Sequence, residues 1–188
     1  MATPLTPELL AELESRWRRG RALVLDAMDP GLTDQQIDEL LPNGFVLPEE
    51  ARVWWRWRDG VTTPGLAGQI GSHRYKIPLS EALTARQKAL DMDLDEWTGV
   101  VRLVYGTPEL FIHVDRSLEL APVSVWEFAG GDLPTMPTLP SLGGLVLLWI
   151  DMIDSGVWAT GPDGLPVNDW AKTPEWILKT GIEDGLED

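Results

Sequence analysis

Apolar residues in this chain recur with two different periods, and the order in which the periods change limits the folds open to it. Leu9, Leu13 and Trp17 repeat four residues apart with Leu10 beside them, a one-sided helical stripe. Thr6 before Pro7 offers an N-cap followed by a proline at the first helical position. Arg16, Arg18 and Arg19 fall in the last turn, where cations suit the helix dipole. Thr33 predicts the cap of a short helix through Ile37, Leu40 and Leu41, ended by Pro42-Asn43-Gly44. Pro48-Glu49-Glu50 opens the next helix, closed by Asp59-Gly60 with the glycine in a left-handed C′ position. Ser80 reads as the cap of a helix reaching about Leu90. Tyr75–Leu79, Val100–Tyr105, Leu110–Val114 and Pro122–Phe128 are rich in β-branched and aromatic residues and read as strands, the middle pair joined by a short hairpin at 106–109. Ser141 caps a last strong helix with Leu142, Leu145, Val146, Trp149 and Ile153 on one face. Residues 157–170 read as a hairpin turning at Pro162-Asp163-Gly164, followed by a short helix from Pro174 and an acidic tail. Helices, then mostly antiparallel strands, then a helix predict a single α+β domain. Its parts are a helical extension over 1–32, a core over 33–156, and a C-terminal portion, 157–188, packed on that core.

Composition removes several functions. The 188 residues hold no cysteine, so disulfides, a thiol nucleophile and Cys-ligated zinc are excluded. With 15 basic against 30 acidic residues the net charge is −15, which repels nucleic acid and anionic lipid. The opening residues lack a basic then apolar leader, and the longest apolar run, Leu145–Ile150, is short for a membrane span, so a cytoplasmic location is expected. The charge is uneven. Residues 1–76 carry 9 basic and 11 acidic side chains, and residues 77–188 carry 6 and 19, a net of −13. Such a surface serves solubility, or it meets a basic partner.

The stretch Ile37-Asp38-Glu39-Leu40-Leu41-Pro42, then Leu47-Pro48-Glu49-Glu50-Ala51, then Trp54-Trp55-Arg56-Trp57-Arg58-Asp59-Gly60 resembles the opening of the SUKH superfamily. That group contains the yeast Knr/Smi-like cell-wall regulator and many bacterial immunity proteins. Its aromatic helix ends in Asn-Gly, and here Asp59-Gly60 stands in that place. Trp97 before a strand, a glycine turn at Gly106, a strand ending Phe111-Ile112-His113-Val114-Asp115 and the helix from Ser141 extend the likeness over about 33–156. The resemblance implies helices packed on a mostly antiparallel sheet and a protein-binding role without catalysis. Bacterial members often neutralise toxins, nucleases among them, and an Arg-over-Lys excess of 11 to 4 suits a GC-rich bacterial genome.

An enzyme reading has little to stand on. His73 and His113 are the two histidines, and no His-Glu-x-x-His, Gly-x-Ser-x-Gly or Gly-x-x-x-x-Gly-Lys motif occurs. His113 with Asp115, or Asp115 with Glu127 across strands, are the pairs that would revive it. Asp91, Asp93 and Asp95 imitate half a calcium loop, but Glu96 stands where glycine is required and Arg102 where a bidentate glutamate is required. No metal or cofactor is expected. Asp91, Asp93, Asp95 and Glu96 form the densest acidic run, a solvated loop or a bait for a basic protein. Trp17, Trp54 and Trp149 sit on helical stripes and belong in the core. Helical neighbours point about 100° apart, so at least one of Trp54, Trp55 and Trp57 is expected at a groove or edge. The expected partner-binding residues are therefore Asp91, Asp93, Asp95, Glu96, Trp55, Trp97, Trp126 and Glu127, facing a basic toxin domain. The alternative is a regulatory or scaffold module that recruits cellular enzymes, or binds a small ligand in a groove near Trp55, Trp97 and Trp126.

Overall fold

The computed structural model describes residues 3–62, 64–71, 74–94, 99–106, 109–114, 123–128 and 139–175. Helix α1, Pro7–Gly20, starts where Thr6 Oγ1 accepts from the Leu9 amide, and buries Leu10, Leu13 and Trp17. A single turn, α2 (Val24–Ala27), leads to α3, Asp34–Leu40. Thr33 and Gln36 cap α3 reciprocally, each side chain bonded to the other residue's backbone. Helix α4, Glu49–Trp57, follows Pro48. A short strand β1, Tyr75–Lys76, precedes α5, Leu79–Asp91. Strands β2 (Val100–Tyr105), β3 (Glu109–His113) and β4 (Trp126–Phe128) complete a four-stranded antiparallel sheet in the order β1-β2-β3-β4. Helix α6, Leu142–Asp154, is capped by Ser141 Oγ accepting from the Gly144 amide. A hairpin of β5 (Trp158–Thr160) and β6 (Pro166–Asn168) follows. The fold is α+β in one domain, and no helix among the described residues is long and apolar enough to cross a membrane.

The core is built on α4. Its neighbours Trp54 and Trp55 are both fully buried, because α4 is covered on two sides. Trp54 meets Trp149 of α6 at 5.7 Å and Trp57 at 5.7 Å between ring centroids. Trp55 turns the other way and donates its indole N–H to the Ile77 carbonyl at 3.4 Å. Trp57 stacks on Trp17 of α1 at 6.1 Å, and Trp149 continues to Trp158 of β5 at 6.3 Å. One apolar cluster thus takes in α1, α4, α6, β5 and the side of the sheet bearing Val101, Leu103, Leu110 and Ile112. Val100, Phe111 and Trp126 form a separate buried cluster, and the register pairs Phe111 with Trp126. Glu50 ties the layers together, accepting from the amides of Leu5 and Val123.

Two local expectations are corrected. Helix α4 stops at Trp57, and Arg58 is extended and bridges Pro30, so Asp59-Gly60 does not cap it. Gly60, at φ 146°, serves a close approach: a Cβ there would lie 2.4 Å from the Ile77 and Pro78 backbone. Helix α5 begins at Leu79, not after Ser80, and Pro78 at its start has no side chain to offer a hydrogen bond. Asp59 acts instead, its Oδ1 accepting from the Leu79 amide at 2.9 Å. The carboxylate is thus a cap supplied from 20 residues upstream. Replacing Asp59 with Ala is expected to cost about 1 kcal/mol in urea unfolding, and replacing it with Asn a fraction of that, because the amide oxygen still accepts.

Lys76 is fully buried, and its Nζ finds no hydrogen-bond partner among the described residues. It lies 4.2 Å from the Trp54 ring and 5.3 Å from the Trp55 ring. Burial pushes the amine well below the ordinary lysine range, against the opposing field of Asp59. An unpaired buried ammonium costs several kcal/mol, whereas an indole face returns about 2 kcal/mol, so desolvation wins and the amine is held neutral more readily than in water. The unfolded chain then binds a proton that the native chain resists, and stability rises with pH up to the unfolded lysine value of about 10.4. Lys76→Met is expected to be the more stable form near pH 7, with its advantage shrinking as pH approaches 10. Denaturant melts of both proteins across that window check the sign, and a constant difference would refute it.

Candidate functional site

The acidic run emerges from α5. Leu79, Ala82, Leu83 and Ala89 are buried on that helix, which packs along β2. The helix closes with the Met92 and Leu94 amides both bonded to the Ala89 carbonyl, an ending that requires a left-handed residue between them. Asp93 supplies it at φ 57°, where glycine would be less strained. Asp91, Met92 and Asp93 are all exposed, Met92 at 64%. Asp91 accepts from the Gln87 side chain at 2.8 Å, and neither aspartate has an ion pair among the described residues.

Beside this tip lies a cleft of about 230 Å³ between α5 and β2, lined by Ala82, Ala85, Ala89, Met92, Val100 and Arg102. The two guanidiniums that border it are engaged: Arg86 lies 4.3 Å from the Phe45 ring, and Arg102 pairs with Glu109 at 2.8 Å. Burial raises the Glu109 carboxyl, and Arg102 opposes the shift.

Elsewhere the cations are largely used internally. Arg16, Arg18, Arg52, Arg56, Arg58, Arg102 and Lys172 all pair with acids of this chain. Glu14 shows the pattern. Burial would raise its carboxyl, but the Trp57 indole at 2.7 Å together with Arg58 and Arg18 holds it below the usual range.

The expected site residues separate in the structure. Asp91 and Asp93 stand together at the helix tip, while Asp95, Glu96 and Trp97 lie outside the described residues. Trp55 has no exposed surface and Trp126 has 2%, so neither is placed to touch a partner. They also belong to two separate clusters. Of the three clustered tryptophans of α4, Trp57 is the partly exposed one. Glu127 is half-buried on β4, opposite Leu110. His73 and Asp115 are outside the described residues, so neither acid–base pairing can be placed. Among the described residues, no group of three or more His, Asp or Glu is arranged to hold a metal ion. Sequence reasoning missed Met92 and the apolar cleft. The signal present was an aspartate-rich helix end, since Asp tolerates the left-handed region better than most residues.

Compared with models of protein families and with curated proteins, the chain finds no match.

Asp93→Gly removes both a left-handed aspartate and an exposed charge. It is expected to raise unfolding stability by about 0.5–1 kcal/mol, measured by urea titration. A loss of stability would show that the aspartate side chain contributes more than its backbone costs.

Proposed function

We propose that this chain is a SUKH-like protein-binding module that works without catalysis, an immunity protein that blocks a basic bacterial toxin domain. The observation that carries the reading is the contrast in how charges are used. Among the described residues, seven cations are tied to acids of the same chain, while Asp91 and Asp93 stand without an ion pair beside an apolar cleft. The two exposed aspartates at the helix tip, next to a small apolar surface whose bordering guanidiniums are already engaged, suit a Lys- or Arg-bearing partner with an apolar side chain beside its charge. The exposed thioether of Met92 is adaptable enough to repack against such a side chain. The excess of −13 over residues 77–188 supplies a long-range field that draws a basic domain in, a nuclease among the suitable kinds. The α3–α4 arrangement around Pro48, the antiparallel sheet and the closing helix α6 support placing the module with SUKH proteins.

A toxin domain is expected to be encoded beside this gene, and stopped-flow association with that domain tests the reading. Reversing both charges, Asp91→Lys with Asp93→Lys, is expected to slow association about tenfold or more at low salt, and to flatten its salt dependence. An association rate that ignores both the reversal and the salt would remove the electrostatic site.

A further inference from the structure

A second cleft, of about 330 Å³, is formed where the C-terminal ends of α1 and α6 meet the β5–β6 hairpin. None of its lining residues belongs to α5 or to the four-stranded sheet. Its size falls at the lower end of the range for small-molecule sites. Trp17 and Trp158 provide broad apolar surface, and both are more than nine-tenths buried. The Trp158 ring lies so close to Gly71 that a Cβ there would sit 2.3 Å from it, so only glycine lets the indole run along this wall.

The polar groups are unequally spent. Both oxygens of Asp154 are taken by Arg16, whose Nε lies 3.0 and 2.9 Å from them. That hydrogen bonding holds Asp154 below the usual carboxylate range, with Arg19 adding only its charge. Arg19 lines the same cleft, is exposed, and closes no ion pair among the described residues. The buried indole N–H of Trp158 has no hydrogen-bond partner among the described residues. The carboxylate that lines this cleft is therefore consumed, while the Arg19 guanidinium remains as an exposed charged donor and the Trp158 indole N–H is sealed within the wall. An ionised acceptor would answer the guanidinium through a charge-assisted bond.

We propose that this cleft binds a small organic anion with a flat apolar body, an aromatic carboxylate. The carboxylate faces Arg19 and the ring lies against Trp17 and Trp158. The site is independent of the acidic tip of α5, so loss of protein binding there leaves it unaffected.

Calorimetry on the full chain tests the proposal, with indole-3-acetate as probe and indole-3-acetamide and inorganic phosphate as controls. The acid is expected to bind with a dissociation constant of about 1 mM or tighter, as a ligand of this size at ordinary efficiency would. The neutral amide on the wild-type chain, and the acid on Arg19→Gln, are expected to bind at least about tenfold more weakly, one lost charge-assisted contact. Ala67→Phe, which fills the cleft, is expected to abolish binding. Arg19 is exposed, so its variant keeps the test valid should the larger substitution disturb folding. Equal affinity for acid and amide, phosphate binding as tightly as the acid, acid binding that survives Ala67→Phe, or no saturable binding of the acid would each overturn the assignment.

Discussion

The packing of indoles around Trp54 is the constraint on which the other layers rest. Trp54 touches Trp57, Trp149 and the Lys76 amine, and through Trp57 and Trp149 it connects to Trp17 and Trp158. Helices α1, α4 and α6, strand β1 and the hairpin therefore share one continuous set of contacts. Among the described residues, the indole N–H groups of Trp54, Trp149 and Trp158 have no hydrogen-bond partner. Each such donor costs about 1–3 kcal/mol. Burying 150–250 Å² of ring returns about 4–6 kcal/mol at about 25 cal/mol per Å². Burial wins at each position, and the mean cost of the orphaned donors is tolerable because the rings are large. Lys76 is the exception to the apolar rule inside this set, and the same dry surroundings push its amine well below the ordinary lysine range.

Charge organises the exterior by a different logic. Pairs such as Arg16 with Asp154 and Arg58 with Glu14 join elements far apart in sequence, but they remain partly exposed and contribute modestly to stability. Their larger consequence is electrostatic. Each pair cancels one cation against one acid, so the outward field comes from the acids of residues 77–188 that outnumber the basic side chains there. Arg19 closes no such pair among the described residues, so a positive group stays exposed at the C-terminal end of α1.

The sequence disclosed the periodic parts well. The Thr6, Thr33 and Ser141 caps lie where side-chain chemistry placed them, because a cap is decided within three or four residues. The antiparallel sheet was legible from β-branched runs and a tight hairpin at Gly106. Asp59 and Gly60 were misread because their roles are non-local: one caps a helix starting at Leu79, and the other admits the backbone of Ile77 and Pro78. The burial of both Trp54 and Trp55 was hidden for the same reason. Helical geometry correctly says that they point apart, but not that each direction is covered. Neither cleft could be read from the chain, since each joins segments separated by spans that carry no mutual periodicity.

Asp59 connects the aromatic core to the acidic tip. Its charge opposes the effect of burial on the Lys76 amine, and its carboxylate fixes the first amide of α5, while Leu79, Ala82 and Leu83 hold the helix against β2. A helix anchored at its start and along one side presents its last turn in a set position. Asp91 and Asp93 are thereby ordered during folding, and the entropy of arranging their backbone is not charged again on association. The strained φ of Asp93 fits the same economy: a charge is kept where glycine would be easier, and the closing hydrogen bonds to Ala89 hold it there. A partner that meets this tip gains from an arrangement whose cost the indole core has already met.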